Sequence, residues 1–135
     1  MACKTEQLSD MQCISDVALR YCRGVDRLDA DRMQSAYWGG ATDDHGVFVG
    51  DAWEFCGMCV EALRPSRSAN QCVLKHAIEL IDAHAVAGEV YNVTNSLQDA
   101  QPVRDLWAGR YRDKYEKRVY EGRIIDSVGV HEGRH

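Results

Sequence analysis

The chain has 135 residues, 45% of them hydrophobic and 27% charged, the size and composition of one globular domain with a core of its own. Sixteen basic residues against 21 acidic ones leave a net charge of −5, the wrong sign for a general nucleic-acid binder. No apolar run approaches the roughly 20 residues that cross a bilayer, and the N-terminus lacks a charged-then-apolar leader pattern. The expectation is a single domain over residues 1–135, cytoplasmic, engaging neither nucleic acid nor membrane.

In chain order, Leu8, Met11, Ile14, Val17, Ala18, Tyr21, Cys22 and Val25 recur at spacings of three and four, which predicts an amphipathic helix over Glu6–Val25. Asp29 can cap a second, shorter helix through Met33, Ala36 and Tyr37, and Gly39-Gly40 is expected to stop it. Ala41–Gly50 reads as a short strand or hairpin arm. Asp51 can cap a third helix, largely apolar from Trp53 to Leu63, which Pro65 closes. Beyond Ser66 the pattern changes to four β-like segments, Cys72–Ile81, Ala85–Thr94, Val103–Glu116 and Arg123–Val130. Turns at Asp82–His84, Asn95–Pro102 and Tyr120–Gly122 separate them. Helices first and strands afterwards predict an α+β fold, an antiparallel sheet covered on one side by helices.

Six cysteines, Cys3, Cys13, Cys22, Cys56, Cys59 and Cys72, crowd into the first 72 residues. With no export signal they read as thiols, not a disulfide framework, and Cys13 and Cys22 read as small buried hydrophobes of the first helix. Cys56-x2-Cys59 followed by Cys72-x3-His76 has a zinc-finger spacing. The first pair lies in an apolar helical run inside a continuous domain, so no metal site is expected. Lys114, Lys117, Arg118 and Arg123 form a basic cluster expected to be solvated.

Arg20-Tyr21-Cys22-Arg23-Gly24-Val25-Asp26-Arg27-Leu28-Asp29, then Ser35-Ala36-Tyr37-Trp38 and Asp43-Asp44-His45-Gly46, resemble the SnoaL-like proteins of the nuclear transport factor 2-like superfamily. The segment from Gly109 to Arg118, followed by Arg123-Ile124-Ile125, is similar to that family's last two long strands. The resemblance implies three N-terminal helices closing the mouth of a strongly bent, mixed or antiparallel sheet, a cone with a central pocket. It also implies cofactor-independent acid/base chemistry, a dehydration, isomerisation or cyclisation of a small hydrophobic cyclic substrate. Other members are non-catalytic binding or interaction proteins, and fold alone does not choose between the two.

From the residues alone, Asp26 is either a solvated helix-end carboxylate or one turned into the cavity. The resemblance implies the second, with Asp26 orienting a catalytic histidine. The family's strand pattern of His, three residues and Asn falls here on Cys72 to His76, which leaves Cys72 in the usual histidine position. Strand alternation places Cys72, Leu74 and His76 on one face, with His76 about 13 Å further along. His76 or His45 is then the expected proton carrier and Tyr21 a hydrogen-bond donor to substrate. Tyr37, Trp38, Cys72, Trp107 and Tyr111 are the expected substrate-binding walls. No cofactor is expected, and the chain is expected to form a dimer or trimer.

Overall fold

The computed structural model describes residues 5–98, 104–119 and 121–134. Cys3, the Pro102 end of one expected turn, the start of the third β segment at Val103, and Tyr120 lie outside the described residues. Within them the elements are α1 (Thr5–Asp26), α2 (Ala30–Gln34), β1 (Tyr37–Asp44), β2 (Val49–Asp51), α3 (Ala52–Leu63), β3 (Ser66–Leu80), β4 (Ala85–Gln98), β5 (Arg104–Arg118) and β6 (Glu121–Arg134).

The apolar stripe of α1 becomes its buried face through Ile14, Val17, Ala18, Tyr21, Cys22 and Val25. Leu8 stays half exposed, and Cys13 is exposed, which corrects its expected burial. Asp29 caps α2 by accepting from the Arg32 amide at 3.0 Å, and Asp51 caps α3 by accepting from the Glu54 amide at 3.0 Å. Such caps satisfy otherwise orphaned amides and contribute about 1 kcal/mol each.

The second helix is shorter than its spacing predicts. It ends at Gln34, and Tyr37 opens β1, so Gly39 and Gly40 lie within a strand. The reason is the sheet: Tyr37 pairs with Ile124 of β6 and is buried there, a tertiary gain that outweighs one more helical turn. Gly40, at φ 83°, takes the left-handed bend between Tyr37 and Thr42, where the pairing shifts register.

The strands form one mixed sheet in the order β2-β1-β6-β5-β4-β3. β1 runs parallel to β6, and the other neighbours are antiparallel. The sheet is open, with irregularities at Val73/Lys75, Ala108/Gly109 and Lys114/Tyr115, where an extra residue bends and twists a strand. α1 lies on β3 and β6, α3 on β1, and α2 bridges α1 to α3. The core sits between these helices and the inner sheet face, around Tyr37, Val86, Val90, Tyr111, Tyr115 and Ile124.

Candidate active site at the inner face of the sheet

Alternation along the strands fixes which side chains face the helices. Tyr37, Ala41 and Asp43 do so from β1, Val90 and Asn92 from β4, Tyr111, Asp113 and Tyr115 from β5, and Ile124 and Ser127 from β6. Tyr21 of α1 meets two of these rings edge-on, Tyr37 at 6.0 Å and Tyr111 at 5.9 Å between centroids. This three-tyrosine cluster, with Asp113 and Ser127 beneath it, surrounds a cavity of only about 10 Å³ as room for the centre of a water molecule, one water's worth. Burial raises all three phenols well above their ordinary range.

An Asp–His pair stands at the end of β1. His45 Nδ1 lies 2.6 Å from Asp43 Oδ2, and the Asp43 side chain is fully buried while 18% of the His45 side chain is exposed. The imidazole stacks on Phe55 of α3 with centroids 4.1 Å apart and leans on Tyr111 at 5.4 Å. Phe48 packs against Phe55 from the other side at 5.7 Å. The local sequence explains the arrangement. Asp43 and His45 are two apart and share a strand face, while Gly46 at φ 80° turns the chain, its amide held by Asp44 Oδ1 at 2.9 Å. Desolvation raises the Asp43 carboxyl, and the His45 hydrogen bond works against that rise. A carboxylate on Nδ1 fixes the ring with its proton there and leaves Nε2 as a base.

The residues singled out from sequence fall into different places. Asp26 Oδ1 accepts the backbone N–H of Gln71 at 2.8 Å, and the structure does not bring it onto a histidine. Desolvation raises its carboxyl, while the Gln71 amide and then Arg27 draw it back down. His76 is half-buried, its Nε2 3.2 Å from the Tyr115 hydroxyl, and desolvation lowers its basicity.

The predicted alternation of Cys72, Leu74 and His76 is corrected by a bulge. Val73 pairs with Asn92 and Lys75 with Tyr91, so Leu74 is the extra residue and stands 66% exposed. Gln71, Val73 and His76 therefore face inward, and Cys72 lies on the outer face beside Asn70. Trp38 is also on the outer face. Its indole N–H donates to the Glu116 carbonyl at 2.7 Å, and the Arg118 and Arg123 guanidiniums lie over its ring at 4.6 and 4.7 Å. Trp107 remains with Tyr111, stacked at 6.0 Å. Tyr21, Tyr37, Tyr111 and His45 are thus brought together, while Asp26, Cys72 and Trp38 stand apart from them.

Two buried carboxylates were absent from the sequence-based set. For Asp43 the available signal is its position two residues before His45 at the end of an extended segment. Asp113 is 5% exposed, bonded by Tyr115 and Ser127, and burial pushes its carboxyl up to about 6. Nothing in the alternating charges of Arg110 to Lys114 distinguished it. Among the described residues no three His, Cys, Asp or Glu side chains converge to hold a metal ion.

An open mixed sheet with three helices on one face defines an α+β cone of the nuclear transport factor 2-like class. The chain belongs to the SnoaL-like domain family, whose family model matches residues 6–125. Solved structures of low identity share the fold. One is a hexachlorocyclohexane dehydrochlorinase, type 3, from Novosphingobium barchaimii, at 18% identity and TM-score 0.86, covering 96% of this chain and 90% of the other. A protein provisionally assigned as a scytalone dehydratase, from Novosphingobium aromaticivorans, has 10% identity and TM-score 0.87, with 96% and 88% covered. A nuclear transport factor 2-like superfamily protein from Salmonella enterica has 13% identity and TM-score 0.78, with 96% and 94% covered. No curated protein matches the chain significantly, and no helix among the described residues is long and apolar enough to cross a membrane.

Proposed function

We propose that this protein is a cofactor-independent acid/base enzyme, a dehydratase or isomerase acting on a small hydrophobic cyclic substrate, with His45 as the proton carrier and Asp43 as the group that holds it. The observation that carries the proposal is the 2.6 Å bond between a fully buried carboxylate and a partly exposed imidazole. In an elimination, His45 Nε2 takes a proton from the carbon beside an activating group, the electron pair forms the new double bond, and the leaving group departs from the neighbouring carbon. A departing hydroxyl takes the proton back from Nε2 and leaves as water, so the ring returns to its starting form. Asp43 stabilises the imidazolium between these steps. Phe48, Phe55, Tyr111 and Trp107 supply the flat apolar surface beside the ring. Within this proposal the chain works in the cytoplasm as a homo-oligomer.

A second reading, a non-catalytic binding or interaction protein, is favoured by the filled interior, which has room for one water. The deciding experiment screens cyclic hydroxyketones and related alcohols by absorbance for loss of water or double-bond migration. His45→Gln and Asp43→Asn should each lower turnover by about two to four orders of magnitude, with ligand affinity changing far less. Turnover unchanged by both substitutions in a folded protein would transfer the assignment away from this pair. No turnover anywhere in the panel, with ligands that still raise Tm, would favour the binding reading.

A further inference from the structure

A second polar chain crosses the inner face of the sheet, and the His45 mechanism does not use it. The Tyr115 hydroxyl lies 3.1 Å from Asp113 Oδ2 and 3.2 Å from His76 Nε2. It joins a carboxylate at the central cavity to an imidazole on the edge strand β3. At the ends of the chain, His76 Nδ1 is buried without a hydrogen-bond partner, and the Asp113 carboxyl has the Ser127 hydroxyl beside it. A purely structural network normally satisfies its buried ends. This one leaves His76 Nδ1 free, and the cavity beside Asp113 has room for one water.

Two backbone features bring these groups together. The bulge at Leu74 turns His76 inward, and Gly88 of β4 lies under the contact. A Cβ on Gly88 would stand 3.0 Å from Tyr115 Cε2 and 3.1 Å from His76 Nε2. A side chain there would press on both rings, and one of them would have to give by a few tenths of an ångström.

We propose that Asp113, Tyr115 and His76 form a proton relay that carries a proton between the central cavity and β3 by reversing both hydrogen bonds at once. With Asp113 ionised, Tyr115 donates to Oδ2 and accepts from His76 Nε2–H, so Nδ1 carries the lone pair. When a proton is delivered to Nδ1 from a hydroxyl or water there, the Nε2 proton passes to the Tyr115 oxygen and the Tyr115 proton passes to Asp113. One proton has entered at His76 and one has been gained by the carboxylate, and no atom is left over. The product has Asp113 donating to Tyr115, Tyr115 donating to Nε2, and the proton of His76 on Nδ1. The tautomer of His76 therefore reports the charge on Asp113.

Burial sets the working range of the carboxyl near 6. Ser127 and Tyr115 hydrogen bonds and the His45 charge draw it down, while Asp43 pushes it up. Cys22 from α1, Tyr37 from β1 and Tyr111 on β5 also face it. His76 faces Tyr115, and desolvation lowers its basicity.

The test is independent of turnover and of His45. The full chain, with ¹⁵N-histidine and ¹³C-aspartate labels, is followed by NMR from pH 8 to pH 5. His76 should carry its proton on Nε2 at pH 8 and shift it to Nδ1 with the same midpoint as the Asp113 carboxyl. In Tyr115→Phe the carboxyl should still titrate while the tautomer no longer follows it. A wild-type His76 that keeps one tautomer across the Asp113 titration overturns the relay, whether or not the variant folds. So does a tautomer reversal that survives in Tyr115→Phe.

Discussion

Asp26 illustrates how much one side chain's role depends on what it meets. The Gln71 amide it holds belongs to the edge strand β3, so the carboxylate ties the last residue of α1 to a strand edge that would otherwise offer a free donor. Losing a carboxylate–amide bond of this kind costs about 1.5–3 kcal/mol. Asp26→Ala should therefore lower the urea midpoint by a matching amount, whereas Asp26→Asn, whose Oδ1 can still accept, should lose much less. Equal loss in both variants would mean that the charge, and not the bond, matters. The sequence shows an acidic residue at the end of an apolar stripe. Its partner was not legible, because the Gln71 amide is 45 residues away and carries no side-chain signature. Asp43 was hidden for a different reason. Three charged or polar side chains in a row, Asp43, Asp44 and His45, look solvated until pairing to Ser127 of β6 turns Asp43 inward.

At the scale of elements, α1 and α2 meet at a close contact. Gly24, near the end of α1, lies against α2: a Cβ there would sit 2.6 Å from Met33 Cγ and 2.8 Å from the Met33 backbone nitrogen. The side chain could move, but the backbone atom belongs to a capped turn whose amide bonds to the Asp29 carbonyl at 3.1 Å. Gly24→Ala should push α2 away from α1, uncover the fully buried Met33 and cost about 1–3 kcal/mol or more. Thermal melting checks this, and a variant as stable as the wild type would show that the contact has slack. The helices α1 and α3 and the four long β segments were legible because their apolar periods and caps are local. The boundary at Tyr37 and the bulge at Leu74 were not. A five-residue helix next to a strand has too few positions to show a period, and a bulge changes the facing of every later residue without any required sequence mark.

Across the described residues, desolvation raises three partly or fully buried carboxyls, Asp26, Asp43 and Asp113. For Asp113 the folded value is about 6 against an ordinary 3.8, so between those two values the folded chain binds more protons than the unfolded one. Its contribution is present in full below about 3.8 and is lost as the pH rises through about 6. The difference corresponds to about 3 kcal/mol. His76 acts with the opposite sign, since its lowered value makes the folded chain bind fewer protons below 6.5, so total stability is a poor test of either group. A comparison of variants separates them. Asp113→Asn cannot ionise and keeps an oxygen for the Tyr115 hydroxyl. Relative to the wild type it should therefore gain up to about 3 kcal/mol on going from pH 4 to pH 7.5. Urea unfolding of both proteins at the two pH values measures this gain directly. If the gap between variant and wild type is the same at both, Asp113 titrates alike in the folded and unfolded chains. The carboxyl would then be ionised throughout the neutral range, and the interior would hold a fixed negative charge beside Asp43.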